Sequence, residues 1–302
     1  MKQVNEILKK YKIKPYRYTT NGKTTIIDTK MGRFVVKPKR ANNEIFTYLK
    51  SRSFNYYPKI INQTEEEYEI AEFIEDDEYL EEQKMMDMIN LVSLLHNKTT
   101  HYKEVDFEDY KKIYEDINNN IEYLNSYYND IITQIETHIY MSPSEYLLAR
   151  NITKIFAALN FCKGEVDIWY KLIKDKTKQR LVVLHNNLDL SHFLKNDKPY
   201  LISWDKSKIG IPIFDLYILY KRQALDYDFE EIIKHYEQNY PLQEDEKKLF
   251  FILITLPPKI DFEKTEYELT KSISEQMDFL YKTEKLISPY YTKHNVQQQT
   301  TQ

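Results

Sequence analysis

Apolar positions in the first dozen residues fall at Val4, Ile7, Leu8 and Tyr11, the spacing of one face of a short helix. The period then shortens. YRYTT (16–20), TTIID (24–28) and RFVVKP (33–38) alternate or are β-branched, and Asn21-Gly22 and Met31-Gly32 separate them. Asn-Gly between such runs is a strong signal for a two-residue hairpin, so the stretch reads as a three-stranded antiparallel meander. ANNEIFTYLKS (41–51) is helical in pattern. Pro58–Asn62 and Tyr68–Phe73 look like two more strands, and the second runs into the acidic segment Glu75–Glu82, a type of run that is usually a solvated connector.

Helical periodicity takes over from Tyr79. Leu80, Met85, Met88, Ile89, Val92 and Leu95 mark one face, which closes in LLHNKTT with His96 as a packing residue at the helix end. Residues 107–176 continue in helical stripes such as Phe107, Tyr110, Ile113, Tyr114 and Ile117. Ser142-Pro143 restarts the helix, with Ser142 as its cap and Pro143 at its first position. Leu181–Asp215 then breaks the helical pattern. An apolar strand leads to a polar loop opening on His185, a short apolar strand, a second polar loop, and Asp215 entering a helix. The remainder is helical to about Lys285, interrupted at Leu256-Pro257-Pro258, and the tail NVQQQTTQ is polar and expected to fray.

Composition narrows the class. With 302 residues, 42% hydrophobic and 30% charged, the chain can bury a substantial core in two lobes or two small domains, and disorder is disfavoured. No apolar run approaches the roughly 20 residues that span a bilayer. MKQVNEILKK lacks the apolar centre of a signal peptide, so a cytoplasmic protein, or one on a structure assembled from the cytoplasm, is expected, with no membrane partner. The net charge of -4 and the dispersed basic residues argue against nucleic acid. Cys162, the single cysteine, rules out an intrachain disulfide and a cysteine-based zinc cluster; within FAALNFC it reads as a small packed hydrophobe. No G-x-S-x-G elbow supports a Ser-His-Asp hydrolase.

HNNLDLSHFL (185–194), LISWD (201–205) and FDL (214–216) are where chemistry concentrates. Their order resembles the protein-kinase-like phosphotransferases that act on aminoglycosides and choline, whose loop is H-x-D-x-x-x-x-N and whose second strand is I-D-[FW]-[DE]. FVVK (34–37), the helix Glu44, the hinge-like EFIE (72–75) and the LLHNKT ending extend the resemblance from about Thr20 to Tyr291. It implies an α+β, two-lobed protein-kinase-like fold. Residues 1–75 would form a small antiparallel sheet plus helix on the nucleotide side. Residues 76–291 would form a larger, mainly helical lobe carrying the catalytic-loop-like segment 185–205, with 292–302 as a polar tail. Lys37 and Glu44 would form the ion pair that turns a lysine toward the α and β phosphates, and the backbone of EIAEFIED would meet an adenine edge. Within the superfamily the chain is most similar to the spore-coat CotS-type kinase-like proteins, through LISWD, Tyr240-Pro241-Leu242 with Glu246, and LPPK (256–259).

His185 and Asp215 match the pattern and are by resemblance structural. The positions that carry the chemistry are substituted. Asn187 stands for the catalytic Asp, His192 for the metal-binding Asn and Ser203 for the metal-binding Asp. An amide cannot take a proton near neutral pH, and loss of a general base costs on the order of 10²–10⁴ in rate. A hydroxyl lacks the charge with which a carboxylate holds magnesium. Asp189 and Asp205 each lie two residues beyond a vacated acid. Asp205 matches the second acid of I-D-[FW]-[DE] and is a candidate residual metal ligand, whereas Asp189 would be a relocated acid displaced by roughly 6–7 Å at strand rise. The expectation is a degenerate pseudokinase serving as a spore-coat structural or binding protein, with other coat proteins or ATP as partners and magnesium disfavoured. The alternative is an ATP-dependent phosphotransferase acting on a hydroxyl of a small molecule.

Overall fold

The computed structural model describes residues 2–38, 43–62 and 67–299. In chain order these form α1 (Lys2–Lys10), β1 (Pro15–Asn21), β2 (Thr24–Thr29), β3 (Gly32–Pro38), α2 (Asn43–Ser51), β4 (Tyr68–Glu72), α3 (Glu81–Thr99), β5 (His101–Glu104), α4 (Phe107–Glu136), α5 (Pro143–Lys174) and β6 (Lys178–Leu184). There follow β7 (Phe193–Lys195), β8 (Pro199–Leu201), β9 (Lys208–Gly210), α6 (Ile213–Gln223), α7 (Phe229–Asn239), α8 (Glu244–Thr255) and α9 (Glu266–Gln299). The chain divides into two compact units, residues 1–100 with 182–210, and residues 101–181 with 211–302.

In the first unit β1 to β4 form one antiparallel sheet in sequence order. The Asn21-Gly22 hairpin forms as expected, with Gly22 at φ +60°, a conformation that glycine adopts without steric cost. Leu8 and Ile13 join Ile27, Val36 and Ile70 in its core, which is why the leading helix is amphipathic. Pro58–Asn62 is not the strand its composition suggests: among the described residues there, Ile60 makes an isolated bridge to Ala71. Pro58 has no amide hydrogen to donate, and the Asn62 side chain accepts from Ile70 N at 2.8 Å, replacing the backbone pairing a strand would continue. At the end of α3, Thr99 Oγ1 donates to Leu95 O at 2.7 Å and accepts from Val183 N at 3.0 Å. The threonine of the LLHNKT ending thereby fastens β6, and His96 is fully buried as a packing residue.

The compact units cut the chain differently from the expected 1–75 and 76–291 lobes, because α3 and the loop segment 182–210 fall with the sheet. Hydrogen bonds explain this grouping. Leu201 N donates to Tyr56 O at 2.8 Å, Asp77 N to Lys195 O at 2.8 Å, and Lys195 N to Asp76 Oδ1 at 2.8 Å. The acidic run is therefore more than a solvated connector, since Asp76 and Asp77 zip it onto β7.

The second unit is helical apart from β5, which pairs antiparallel with the start of β6. Ser142 caps α5 in a full capping box with Glu145, and Pro143 follows at the first position, as the sequence predicts. α5 packs against α4, α8 and α9. Cys162 is fully buried with its Sγ 3.5 Å from Ile252 O, and burial pushes its thiol up to about 12. The Leu256–Pro258 break is fastened by tyrosines. Tyr128 Oη donates to Pro258 O, Tyr127 Oη donates to Ile260 O at 2.9 Å, and Gln276 donates to Tyr128 Oη at 3.0 Å. The backbone of α9 stays helical to Gln299, past the expected end at Lys285. The last three residues of the tail, like Ala41 and Asn42 at the expected start of α2, lie outside the described residues.

Candidate functional site

Lys37 sits near the end of β3, where the apolar run FVVK turns one face of the strand into a cleft of about 220 Å³ within the first unit. Ile26, Val35, Ala71, Ile74, Leu194 and Ile202 supply apolar walls; Lys37, Glu69 and Glu72 are the charged residues among its lining. The volume lies just under the ~300–1,000 Å³ typical of small-molecule sites. Ile74, from the hinge-like EFIE segment, lines this cleft, while the neighbouring Phe73 N donates to Arg33 O at 3.2 Å.

Two carboxylates meet the lysine. Lys37 Nζ lies 3.4 Å from Glu69 Oε1 and 3.6 Å from Asp205 Oδ1. Glu69 is the cross-strand partner of Lys37 in the β3–β4 register, so pairing across the sheet brings the two together. Glu44, the expected partner, is exposed in the first turn of α2. Glu69 was not singled out by sequence reasoning. Its signal lay in aligning YEIAE antiparallel to FVVKP, which places an acid opposite the lysine. One lysine between two carboxylates leaves the cluster a formal charge of -1, which opposes a bare phosphate.

The loop after β6 is built around His185. Its ring is fully buried, donates from Nε2 to Ile202 O at 2.7 Å, and lies edge-on to Trp204 with centroids 4.9 Å apart. Trp204 is itself buried, donates from Nε1 to Leu201 O at 2.7 Å, and packs against Phe46, Phe54 and Tyr57. His185 thus holds the loop to the segment after β8 that carries Ser203. Asn187 is buried and its Nδ2 faces Ser203 O at 3.5 Å, while its own backbone oxygen accepts from His192 Nδ1 at 2.7 Å. The substituted positions Asn187, His192 and Ser203 therefore come together and bond to one another.

Asp189, the candidate relocated acid, caps a turn of its own loop. Its Oδ1 accepts from Ser191 N at 2.9 Å and Ser191 Oγ at 2.6 Å, capping the short 3₁₀ turn Leu190–His192. Asp205 does reach Lys37, as described. Asp215 belongs to the second unit, fully buried in the first turn of α6.

Ser203 has φ 64° and ψ 49°, in the left-handed region. Asn and Asp are the non-glycine residues that adopt this conformation most readily, and serine is not among them. The backbone at this position thus suits an Asp while the side chain is a hydroxyl. Magnesium prefers carboxylate and phosphate oxygens in near-octahedral geometry. Here Ser203 offers a neutral hydroxyl, the imidazole of His192 is bonded through Nδ1 to Asn187 O, and Asp205 Oδ1 already faces a lysine ammonium. No group of three or more His, Cys, Asp or Glu among the described residues could hold a metal. This donor set does not fit a magnesium ion.

The branch-like segment Tyr240-Pro241-Leu242 with Glu246 is scaffold in the second unit. Arg180 pairs with Glu246 through both Nε, at 3.0 Å, and Nη2; it also donates to Pro241 O at 3.0 Å and stacks its guanidinium 4.3 Å from the Tyr240 ring centroid.

No family model matches this sequence, and no curated protein does. Solved structures do. An aminoglycoside phosphotransferase from Alicyclobacillus acidocaldarius superposes with a TM-score of 0.61 at 9% identity, over 94% of this chain and 92% of that one. A spectinomycin phosphotransferase in complex with ADP and spectinomycin superposes with a TM-score of 0.53 at 14% identity, over 94% of this chain and 98% of that one. The same spectinomycin enzyme bound to AMP gives 0.53 at 17% identity, over 97% and 94%. The chain therefore has the kinase-like fold of these phosphotransferases, with a small N-terminal antiparallel sheet and a larger helical C-terminal part.

Proposed function

From that fold, we propose that the protein is a kinase-like binding module that takes an adenine nucleotide in the cleft beside Lys37 and does not transfer its phosphate. The observation that carries this reading is the buried amide of Asn187, facing the Ser203 carbonyl where a kinase-like loop would present a carboxylate base. An amide nitrogen in that place donates a hydrogen bond and removes no proton. The apolar walls accept the base, Ile74 brings backbone from the hinge-like segment to its edge, and Lys37 meets the α and β phosphates after releasing Asp205. Such a ligand acts by stabilising the conformation it binds. A role in a spore coat rests on the likeness of LISWD, the Tyr240–Glu246 segment and LPPK to the CotS-type proteins. ATP titration of the full chain, followed by thermal unfolding, tests the binding. A stabilising shift that disappears in Lys37→Ala supports it, and no shift at any nucleotide concentration refutes it.

One observation favours a second reading. Glu69 and Asp205 converge on Lys37, so an ATP-dependent phosphotransferase could use Asp205 as its acid with a cation drawn in by the substrate's own phosphates. That reading requires magnesium-dependent phosphate release with a hydroxyl acceptor, abolished by Asp205→Ala.

A further inference from the structure

A cleft in the second unit lies between α5 and α9, plays no part in the nucleotide reading, and has a volume of about 620 Å³. That falls inside the ~300–1,000 Å³ range of small-molecule sites. Ala157, Ala158, Phe161, Leu280 and Ile287 form its apolar walls. The two alanines leave the space open, because longer side chains on this face of α5 would reach across it.

One buried charged group anchors the lining, whose other charged residues, Lys154 and Glu284, are exposed. Glu165 is 9% exposed, and its Oε2 accepts from both Lys248 Nζ at 2.5 Å and Tyr291 Oη at 2.7 Å. Burial and the neighbouring carboxylate raise the Tyr291 phenol far above its usual range, so it remains a donor at any physiological pH. Glu165 Oε1 makes no hydrogen bond among the described residues. A carboxylate with one oxygen committed to two donors and the second oxygen carrying neither of them, in a largely apolar cleft, can take a further donor.

We infer that this cleft binds a small amphiphile, an apolar body ending in one hydrogen-bond donor, with that donor on Glu165 Oε1. A protonated amine and a hydroxyl share this chemistry. Calorimetric titration of the full chain with 1-decylamine and with 1-decanol, each below its aggregation limit, tests it. Saturable 1:1 binding of at least one probe is expected, weakened about tenfold or more when Ala158→Leu fills the cleft, since lost apolar contact and blocked entry act together. Ala157→Leu, on the exposed side of the same wall, is the second filling variant, and Lys37→Ala leaves the binding unchanged. A preference for the amine that vanishes in Glu165→Gln identifies the head as cationic; equal binding of both probes identifies a neutral donor. No binding of either probe, binding indifferent to both filling variants, or binding lost in Lys37→Ala overturns the assignment.

Discussion

Two cationic side chains meet acids in opposite ways in this protein, Arg180 with one carboxylate and Lys37 with two. Arg180 in the second unit is nearly buried, with side-chain exposures of 10% for itself and 4% for Glu246; its guanidinium is matched by a carboxylate, a carbonyl and an aromatic face. Lys37 in the first unit stands at the edge of an open cleft between two carboxylates at 3.4 and 3.6 Å, one buried and one about a third exposed. The first arrangement holds Nε and Nη2 in a fixed geometry. The second is over-supplied with negative charge and leaves one arm in solvent. A planar fork held by a bidentate carboxylate and an aromatic face is structural, while a point charge with a replaceable partner can exchange that partner for a ligand.

The largest effect should come from breaking the Arg180 cluster. Arg180→Ala strands Glu246 in a buried site, and loss of one partner of a buried pair costs about 3–5 kcal/mol; chemical denaturation should show that drop. Lys37→Ala should cost about 1–3 kcal/mol, through the buried Glu69 it leaves unpaired, and should also abolish nucleotide-induced stabilisation, which Arg180→Ala does not touch directly. Asp205→Ala should change stability by no more than about 1 kcal/mol, since its arm is solvent-screened, yet tighten ATP binding by calorimetry because it removes the competitor for Lys37. Tighter binding without a stability change is the signature of a replaceable partner; a large stability loss would make the Lys37 cluster a second structural clasp. The smallest effect is at Ser203. Replacement by Gly relieves a left-handed backbone and should shift stability by under about 1 kcal/mol, in the stabilising direction by thermal unfolding.

Features fixed by local rules could be read from the chain. The Asn21-Gly22 hairpin, the Ser142-Pro143 start of α5 and the packing role of Cys162 each depend on neighbours in sequence or on one apolar face. The family resemblance singles out Asn187, His192 and Ser203, and the loop brings these three residues together. What escaped depends on pairing between distant segments. Glu69 became the partner of Lys37 through strand register, and Asp189 is a cap because its loop tightens into a 3₁₀ turn. Asp76 and Asp77 are tied to β7 by a fold that sequence alone does not position. The Pro58–Asn62 misreading has the same origin, since composition favoured a strand and one asparagine side chain took over its pairing.

The central claim is that the frame persists without the groups that move phosphate. Its most direct test is phosphate release from ATP by the full chain with magnesium, over a panel of hydroxyl acceptors, beside Asn187→Ala and Asp205→Ala variants. The account predicts release no greater than in either variant. Release that depends on magnesium and collapses in Asp205→Ala would contradict it.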